Sequence, residues 1–426
     1  MGFVEEMKWR GLVSELTPGL EEHLKSRTVS GYIGFDPTAS SLHVGSLMQI
    51  MNLARLQRAG HRPIAVVGGG TGLIGDPSGK ASERPLLTTA QAEENAAAIH
   101  HQLQSFLDFD YGSSRAIFVN NGEWLNSLQF VSFLRDIGKH FSVNAMIARE
   151  SVKRRLESQD GISFTEFSYM LLQAYDFLML YDRHGCTLQM GGSDQWGNIV
   201  SGTDLIRRIR SGQAHGLVSP LVTTASGTKF GKTEAGTVWL DKARTSPYKY
   251  YQFWLNTDDN DAIDYLKFFT WLDEKAVGEL AETTRSRPEA REAQKVLASE
   301  VTKMTHGADA LSRAEHASRL FFSGELAELS VAELLDVLDD APSTQIVFVE
   351  ADPSTWSREL ADLLKECNLA TSRGEGKRLI EGGGIYIGST RIADRDYKVT
   401  MADSIEGRLL VLRKGKKEYH VVKLGA

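Results

Sequence analysis

Two short stretches hold residues that could handle a polyphosphate. Lys229-Phe-Gly-Lys-Thr233 sets two lysines three residues apart around a glycine, inside a run (220–244) rich in Gly, Thr and Lys and poor in periodicity. Cations on a loop of this kind suit a clamp on phosphate oxygens; the plain alternative is a solvated basic loop. Phe35-Asp-Pro-Thr-Ala-Ser-Ser-Leu-His-Val-Gly-Ser46 follows a strand-like apolar run and leads into a helical one. Pro37 and Thr38 turn the chain there, and His43 and Ser46 fall one helical turn apart. Backbone N–H groups at a helix start favour phosphate, so an imidazole and hydroxyls at that point read as a nucleotide site. Gly45 would let the ligand approach the backbone. A histidine at a helix start also serves as a purely structural cap, and this motif alone leaves both readings open.

A third stretch suits a small polar ligand. In Tyr169-Met-Leu-Leu-Gln-Ala-Tyr-Asp176 the polar groups of Tyr169, Gln173 and Asp176 recur at helical spacing and share one face. Among Phe, Leu and Met they are costly unless polar partners meet them, whether a substrate or internal pairing. Gly191-Gly-Ser-Asp-Gln-Trp-Gly-Asn198 adds two glycines with Asp194 and Gln195. One pattern misleads. Gly70-Thr-Gly-Leu-Ile-Gly75 fits the dinucleotide fingerprint, but residues 76–85 (DPSGKASERP) break the helix its glycines must open. The same stretch fails as a phosphate loop, because Ile74 and Ala81 stand where Gly and Ser or Thr are needed. It reads as a Gly-rich turn beside a ligand.

The elements that must position these groups form an alternating series. Residues 32–35, 63–68 and 116–120 read as buried parallel strands, with helical patterns at 42–59 and 89–107 between them. Strand–helix alternation predicts an α/β, Rossmann-like open parallel sheet over residues 1–220. A loop at 221–247 carries the paired lysines, and 248–322 reads as helical with a break near Pro288. Residues 323–352 hold eight acids and no base, the composition of a linker. Helix starts, Gly-rich turns and short strands over 353–426 predict a small α+β domain.

The chain has 426 residues, 42% hydrophobic and 24% charged, which excludes collagen-like, disordered and disulfide-stapled classes. Its two cysteines, Cys186 and Cys367, lie too far apart for a metal knuckle, so no protein-bound zinc or other metal site is expected. No run approaches the roughly 18 apolar residues of a membrane helix. The acidic N-terminus lacks the basic, then apolar, character of a signal peptide. A cytoplasmic protein without membrane partners is expected. Charge is uneven: the chain is net −7, yet bases outnumber acids 14 to 11 from Ala351 onward. A basic tail on an acidic body suggests a polyanion-binding module.

Taken in this order, the His43-Val-Gly-Ser46 and Lys229-Phe-Gly-Lys-Thr233 elements resemble the HIGH and KMSKS signatures of class I aminoacyl-tRNA synthetases. With the 169–176 and 191–198 stretches, the whole chain is similar to the bacterial tyrosyl enzymes of that class. Residues 371–387 look like the ribosomal S-four-type RNA-binding fold that ends many of them. The resemblance implies a tyrosine–tRNA ligase, which makes tyrosyl-adenylate from L-tyrosine and ATP and then charges tRNA(Tyr). It implies Tyr32 and Asp176 at the phenol, Tyr169, Gln173 and Asp76 at the ammonium group, and Gln195 near the carboxylate. Gly34, Asp36, Gly45, Ser46, Gly192 and Asp194 would line the nucleotide site, with Asp194 at the ribose. Thr38 and His43 would meet the pyrophosphate portion. Lys229, Lys232 and Thr233 would close over it, joined by Lys80 and Arg84 from a second loop. Mg²⁺ would accompany ATP, and Arg373, Lys377 and Arg378 would contact RNA. Ser46 departs from the signature, whose fourth residue is His, so a second imidazole contact to the nucleotide is lost or replaced by a shorter hydroxyl donor. A homodimer is implied too, and Val131, Phe133, Leu134, Ile137, Phe141 and Met146 offer an apolar face for an interface helix over 130–147, buried core being the equal alternative. The tryptophanyl enzymes, small nucleotidyltransferases and an inactive RNA-binding relative are the rival readings. They are opposed by the Tyr32–Asp176 pair, the chain length and the intact lysines respectively.

Overall fold

The computed structural model describes residues 1–76, 87–110, 112–157, 161–225, 230–233, 236–323, 328–339, 341–347, 356–415 and 418–425. It divides into two compact units, residues 1–245 with 253–305, and residues 246–252 with 306–426.

The first unit is built on a six-stranded sheet. Its strands are β1 (Glu15–Leu16), β2 (Ser30–Phe35), β3 (Arg62–Val67), β4 (Ile117–Asn120), β5 (Cys186–Gly192) and β6 (His215–Ser219), in the order β1-β6-β5-β2-β3-β4. Only β1 runs antiparallel; the other five are parallel. The strands are apolar and almost wholly buried, as expected where helices cover both faces. From β2 the chain order runs one way to β3 and the other way to β5. A crevice opens at such a switch point, outside the carboxyl ends of the strands.

Four helices frame that crevice. α1 (Val44–Arg58) follows β2, is capped by His43, and buries most of its residues. α2 (Thr89–Leu103) begins at Thr88, whose hydroxyl and the Gln91 side chain form a reciprocal capping box. α3 (Phe164–His184) starts at Ser163, whose hydroxyl accepts from Glu166 N at 3.2 Å, and stops at Gly185 in the left-handed region. α4 (Trp196–Arg210) leaves β5 through a short 3₁₀ turn, Ser193–Gln195. The helix Asp259–Phe269, here α5, belongs to the same unit.

Two regions differ from the sequence expectations. Residues 130–147 are not one helix. They form Phe130–Asp136 and Val143–Ile147, separated by a 3₁₀ turn at Gly138–His140. Ile137 and Met146 turn inward and are buried, while Phe130, Val131, Leu134, Val143 and Ile147 stay exposed. The second region is the acidic stretch 323–352, which holds the helix Val331–Val337 and a strand, β9 (Ser343–Ile346). Leu334 and Ile346 are buried, so a few apolar residues among the acids suffice to recruit this stretch into a core.

The second unit carries a five-stranded sheet. β11 (Ile385–Ile387), β12 (Thr390–Ile392), β14 (Leu409–Lys414) and β15 (Glu418–Leu424) are antiparallel neighbours, and β9 adds parallel to β15. β10 (Ser357–Glu359) pairs separately with β13 (Lys398–Thr400). Alternation along β14 sorts its residues. Leu410 and Leu412 pack with helices Leu360–Glu366 and Arg373–Glu381, while Leu409 and Val411 pack with Tyr248, Ala317, Leu320 and Leu334. This second face explains why residues 246–252 fold with the tail.

Candidate active site

A cavity of about 370 Å³ occupies the crevice of the first unit, outside the ends of β2 and β5. It is lined by Tyr32, Gly34, Asp36, Thr38, His43, Gly45, Ser46, Asp76, Tyr169, Gln173, Asp176, Gly192, Asp194 and Gln195, residues spread over 164 positions of chain. The fold therefore brings together fourteen of the sequence-selected side chains and glycines. Lys80, Arg84 and Lys229 lie outside the described residues. Lys232 and Thr233 form the short strand β7, paired with β8 (Gly236–Thr237).

At one end of the cavity lie buried Tyr32 and Asp176. The Asp176 carboxylate accepts from Asn121 Nδ2 at 2.8 Å and from Trp124 Nε1 at 2.7 Å. Burial nevertheless pushes its pKa up to about 7, against the pull of these two donors. Burial, with Asp176 nearby, likewise raises the Tyr32 phenol well above its usual value. The Tyr32 hydroxyl is buried and has no hydrogen-bond partner among the described residues. A buried hydroxyl beside a buried carboxylate can meet a ligand group that both donates and accepts a hydrogen bond. Beside it a polar chain runs along α3 and α4. Asn198 Nδ2 donates to Gln173 Oε1 (2.9 Å), Gln173 Nε2 to Gln195 Oε1 (3.1 Å), and Gln195 Nε2 to Asp76 Oδ2 (2.7 Å). The helical spacing of Tyr169, Gln173 and Asp176 does point one face at the cavity.

The other end is built from backbone. His43 is the N-cap of α1, and its Nδ1 accepts from Gly45 N at 3.0 Å, so the structural reading of this histidine holds while its ring also lines the cavity. Ser46 N bonds to His43 O at 2.8 Å in the same turn. The stretch after β7 lies directly against this turn. Val44 N donates to Val238 O (3.0 Å), Leu240 N to Leu42 O (2.9 Å) and Val238 N to Gly231 O (3.1 Å). Gly231 sits at φ +80°, and a Cβ there would stand 2.7 Å from Val44 Cγ2. Its neighbour Phe230 is buried against the rings of Phe253, Trp254, Tyr265 and Phe269, with centroids 5.0–5.8 Å away. Burying that ring contributes on the order of 2–3 kcal/mol to holding the loop. Among the described residues of 220–244, Lys232–Thr233 thus pairs antiparallel with Gly236–Thr237 and Val238–Leu240 lies against Leu42 and Val44, where patterning predicts only loop.

Sequence reading missed Asn121, Trp124, Thr71 and Gln189. Asn121 ties the Gly-rich turn to the site: its Oδ1 accepts from Gly70 N at 2.8 Å and its Nδ2 donates to Thr71 Oγ1 at 2.9 Å. The turn at 71–73 is 3₁₀ and opens no α-helix, consistent with the failed dinucleotide pattern. Asn121 follows the carboxyl end of β4, and strand-end position was the available signal; Trp124 offered none. Gln189, paired in register with Tyr32 across β5 and β2, is buried with Oε1 unpartnered among the described residues.

In the second unit Ser372 caps the helix that carries Arg373, Lys377 and Arg378, accepting from Glu375 N at 3.2 Å. Arg373 pairs with Glu359 and, at 3.4 Å, with Asp362; Lys377 pairs with Asp396 at 2.5 Å; Arg378 is exposed.

Residues 24–323, which span the five parallel strands β2–β6, match the profile described as tRNA synthetases class I (W and Y), and the chain is a member of that class. Residues 333–422 match the tyrosine–tRNA ligase C-terminal domain. The chain is 54% identical to the tyrosine–tRNA ligase of Roseiflexus castenholzii, with 99% of each chain covered. It is 50% identical to that of Geobacillus stearothermophilus over 99% and 100%. A C-terminally truncated mitochondrial tyrosyl-tRNA synthetase of Aspergillus nidulans superposes with a TM-score of 0.68 at 32% identity, covering 75% of this chain and 94% of that one. The chain belongs to the tyrosine–tRNA ligase family.

Proposed function

We propose that the cavity joins tyrosine to ATP and that the chain then passes the tyrosyl group to the 3′ end of tRNA(Tyr). The observation that carries this reading is the pairing of a buried hydroxyl–carboxylate end with a glycine- and histidine-lined end in one cavity. Tyr32 and Asp176 take the phenol. Asp76, Tyr169 and Gln173 take the ammonium group, and Gln195 lies by the carboxylate. That carboxylate attacks the α-phosphate in line, the bond to the bridging oxygen breaks, and pyrophosphate leaves. No protein nucleophile is needed, so catalysis rests on positioning and on stabilising phosphate charge. Gly34, Asp36, Gly192 and Asp194 line the adenosine side, with Asp194 at the ribose. Thr38, His43, Gly45 and Ser46 face the phosphates, and Lys229, Lys232, Thr233, Lys80 and Arg84 neutralise the leaving pyrophosphate. Mg²⁺ arrives on ATP, held chiefly by phosphate oxygens, and supplies further charge neutralisation. Among the described residues the chain offers it single carboxylates and no cluster of three or more ligands.

Labour divides along the chain. Residues 1–220 and the 221–247 signature loop activate tyrosine, 248–322 support them, and 353–426, through Arg373, Lys377 and Arg378, hold RNA. Arg373 and Lys377 would exchange their carboxylate partners for phosphates. The exposed Phe130, Val131, Leu134, Val143 and Ile147 support a homodimer. Two buried free cysteines suit the cytoplasm, and no described helix is long and apolar enough to cross a membrane. Amino-acid-dependent ATP–pyrophosphate exchange tests the reading. Tyrosine should support exchange, and tryptophan or no amino acid should not; equal rates with tryptophan would overturn it.

A further inference from the structure

Arg55 is wholly buried near the far end of α1, twelve residues from His43, in a place where an aliphatic side chain would pack at less cost. Its guanidinium does more than fill space. Nη2 donates to the carbonyls of Phe268 (2.7 Å), Lys267 (3.2 Å) and Thr270 (3.4 Å), the unpaired carbonyl end of α5. Arg10 joins from the N-terminal segment, reaching Lys267 O (2.8 Å), Thr270 O (3.3 Å) and Leu272 O (3.0 Å). Glu6 lies 3.0 Å from Arg10 and 3.9 Å from Arg55, balancing the two charges. Two cations at a helix C-terminus also complement its dipole.

The helix so gripped carries Tyr265 and Phe269, and these rings form half the socket that holds Phe230. On its other side Arg55 Nη1 donates to Asn52 Oδ1 (3.4 Å), Asn52 to Ser219 Oγ (3.3 Å), and Ser219 to the carbonyl of Gly191 (3.3 Å), a residue lining the cavity. α1 therefore touches the signature loop twice: at its N-terminus through Val44 and Val238, and at its C-terminus through Arg55, α5 and the socket. We propose that Arg55 is a positioning residue for adenylate formation, setting where residues 230–233 lie against the Val44–Gly45 turn at the end of the cavity assigned above to phosphate. This rests on the reading above that the loop acts on ATP. A loop anchored through Phe230 shifts if α5 shifts, and displacement of about 1 Å can cost as much as 10²-fold in rate.

The test measures single-turnover adenylate formation and equilibrium tyrosine binding in Arg55→Met, Arg55→Lys and Lys232→Ala. Arg55→Met should slow adenylate formation about tenfold or more while tyrosine affinity stays within about twofold. Arg55→Lys, which can still donate to the same carbonyls, should recover most of the rate. If Arg55→Met does not accumulate folded, Phe269→Leu carries the same test, because it loosens the socket without touching the cation. A rate within about twofold of the parent in either variant overturns the proposal, and so does a loss of tyrosine affinity in step with the rate, which marks general loosening. Lys232→Ala separates the two levels: if it too leaves the rate unchanged, the ATP role of the loop has failed, and not only its positioning by Arg55.

Discussion

The two ends of the cavity are held in different ways. At the end proposed for tyrosine, side chains fix side chains: Asn121 and Trp124 orient Asp176, and Asn198, Gln173, Gln195 and Asp76 form one relay. At the phosphate end, backbone fixes backbone, with Gly231, Val238 and Leu240 laid against Leu42 and Val44, and one aromatic plug sets the depth. The first arrangement is prebuilt and polar, suited to telling one small molecule from another. The second fixes the backbone of the loop to which the proposed function assigns phosphate-binding cations. Selectivity and rate should then be separable by mutation.

The largest effect expected is on rate alone. Lys232→Ala should slow adenylate formation about 10²-fold or more, since a cation that meets phosphate mainly in the transition state acts on kcat. Tyrosine affinity should stay within about twofold. If equilibrium binding weakened as much as the rate, the two ends would not be independent. The converse experiment sits at Tyr32. Discrimination against phenylalanine by a pocket that hydrogen-bonds a hydroxyl reaches about 10⁴–10⁵, a magnitude that comes from a tyrosyl-tRNA synthetase in the first place. Tyr32→Phe should lower the ratio of kcat/KM for tyrosine over phenylalanine by about tenfold, the worth of one hydrogen bond among several. An unchanged ratio would remove Tyr32 from the selecting end.

The smallest effect sharpens the comparison through pH. The folded pKa of Asp176 lies above its unfolded value, at about 7. A phenol that donates to the carboxylate requires the ionised form, so binding must expel a proton below that pH. Tyrosine affinity should weaken about tenfold between pH 8 and pH 6. The empty protein should show the opposite trend. Its native state holds a proton that the unfolded chain has lost, so this group's contribution to stability falls as pH rises from about 4 to about 7. Titration calorimetry in buffers of different ionisation enthalpy would read the released proton. A flat affinity profile would mean that Asp176 is not the phenol's acceptor.

Much of this is legible in the sequence where a single local rule applies. The strand–helix alternation, the cap at His43 and the polar face of α3 follow from period and turn chemistry, and each side chain stands where its spacing points. Asn121, Trp124 and Gln189 are invisible there because their roles exist only after β4, β5 and α3 come together; nothing local distinguishes Trp124 from the chain's other tryptophans. The 130–147 segment reads as continuous because its apolar residues keep helical spacing, while the backbone tightens to a 3₁₀ turn at Gly138–His140 and runs extended through Phe141 and Ser142. The acidic 323–352 stretch reads as a linker because average charge outweighs the few buried residues that decide its fold. The loop lysines stand out in sequence, whereas Phe230 and the socket that holds it are aromatic and look like any core.

The unpartnered Tyr32 hydroxyl and Gln189 oxygen have a meaning outside catalysis. Each is a buried polar atom left without a bond among the described residues, a state that costs about 1–3 kcal/mol until something fills it. Tyrosine would fill the first, and ligand binding to the native state alone stabilises by mass action. On the proposed reading, tyrosine would therefore raise the protein's resistance to unfolding and proteolysis as well as occupy its cavity.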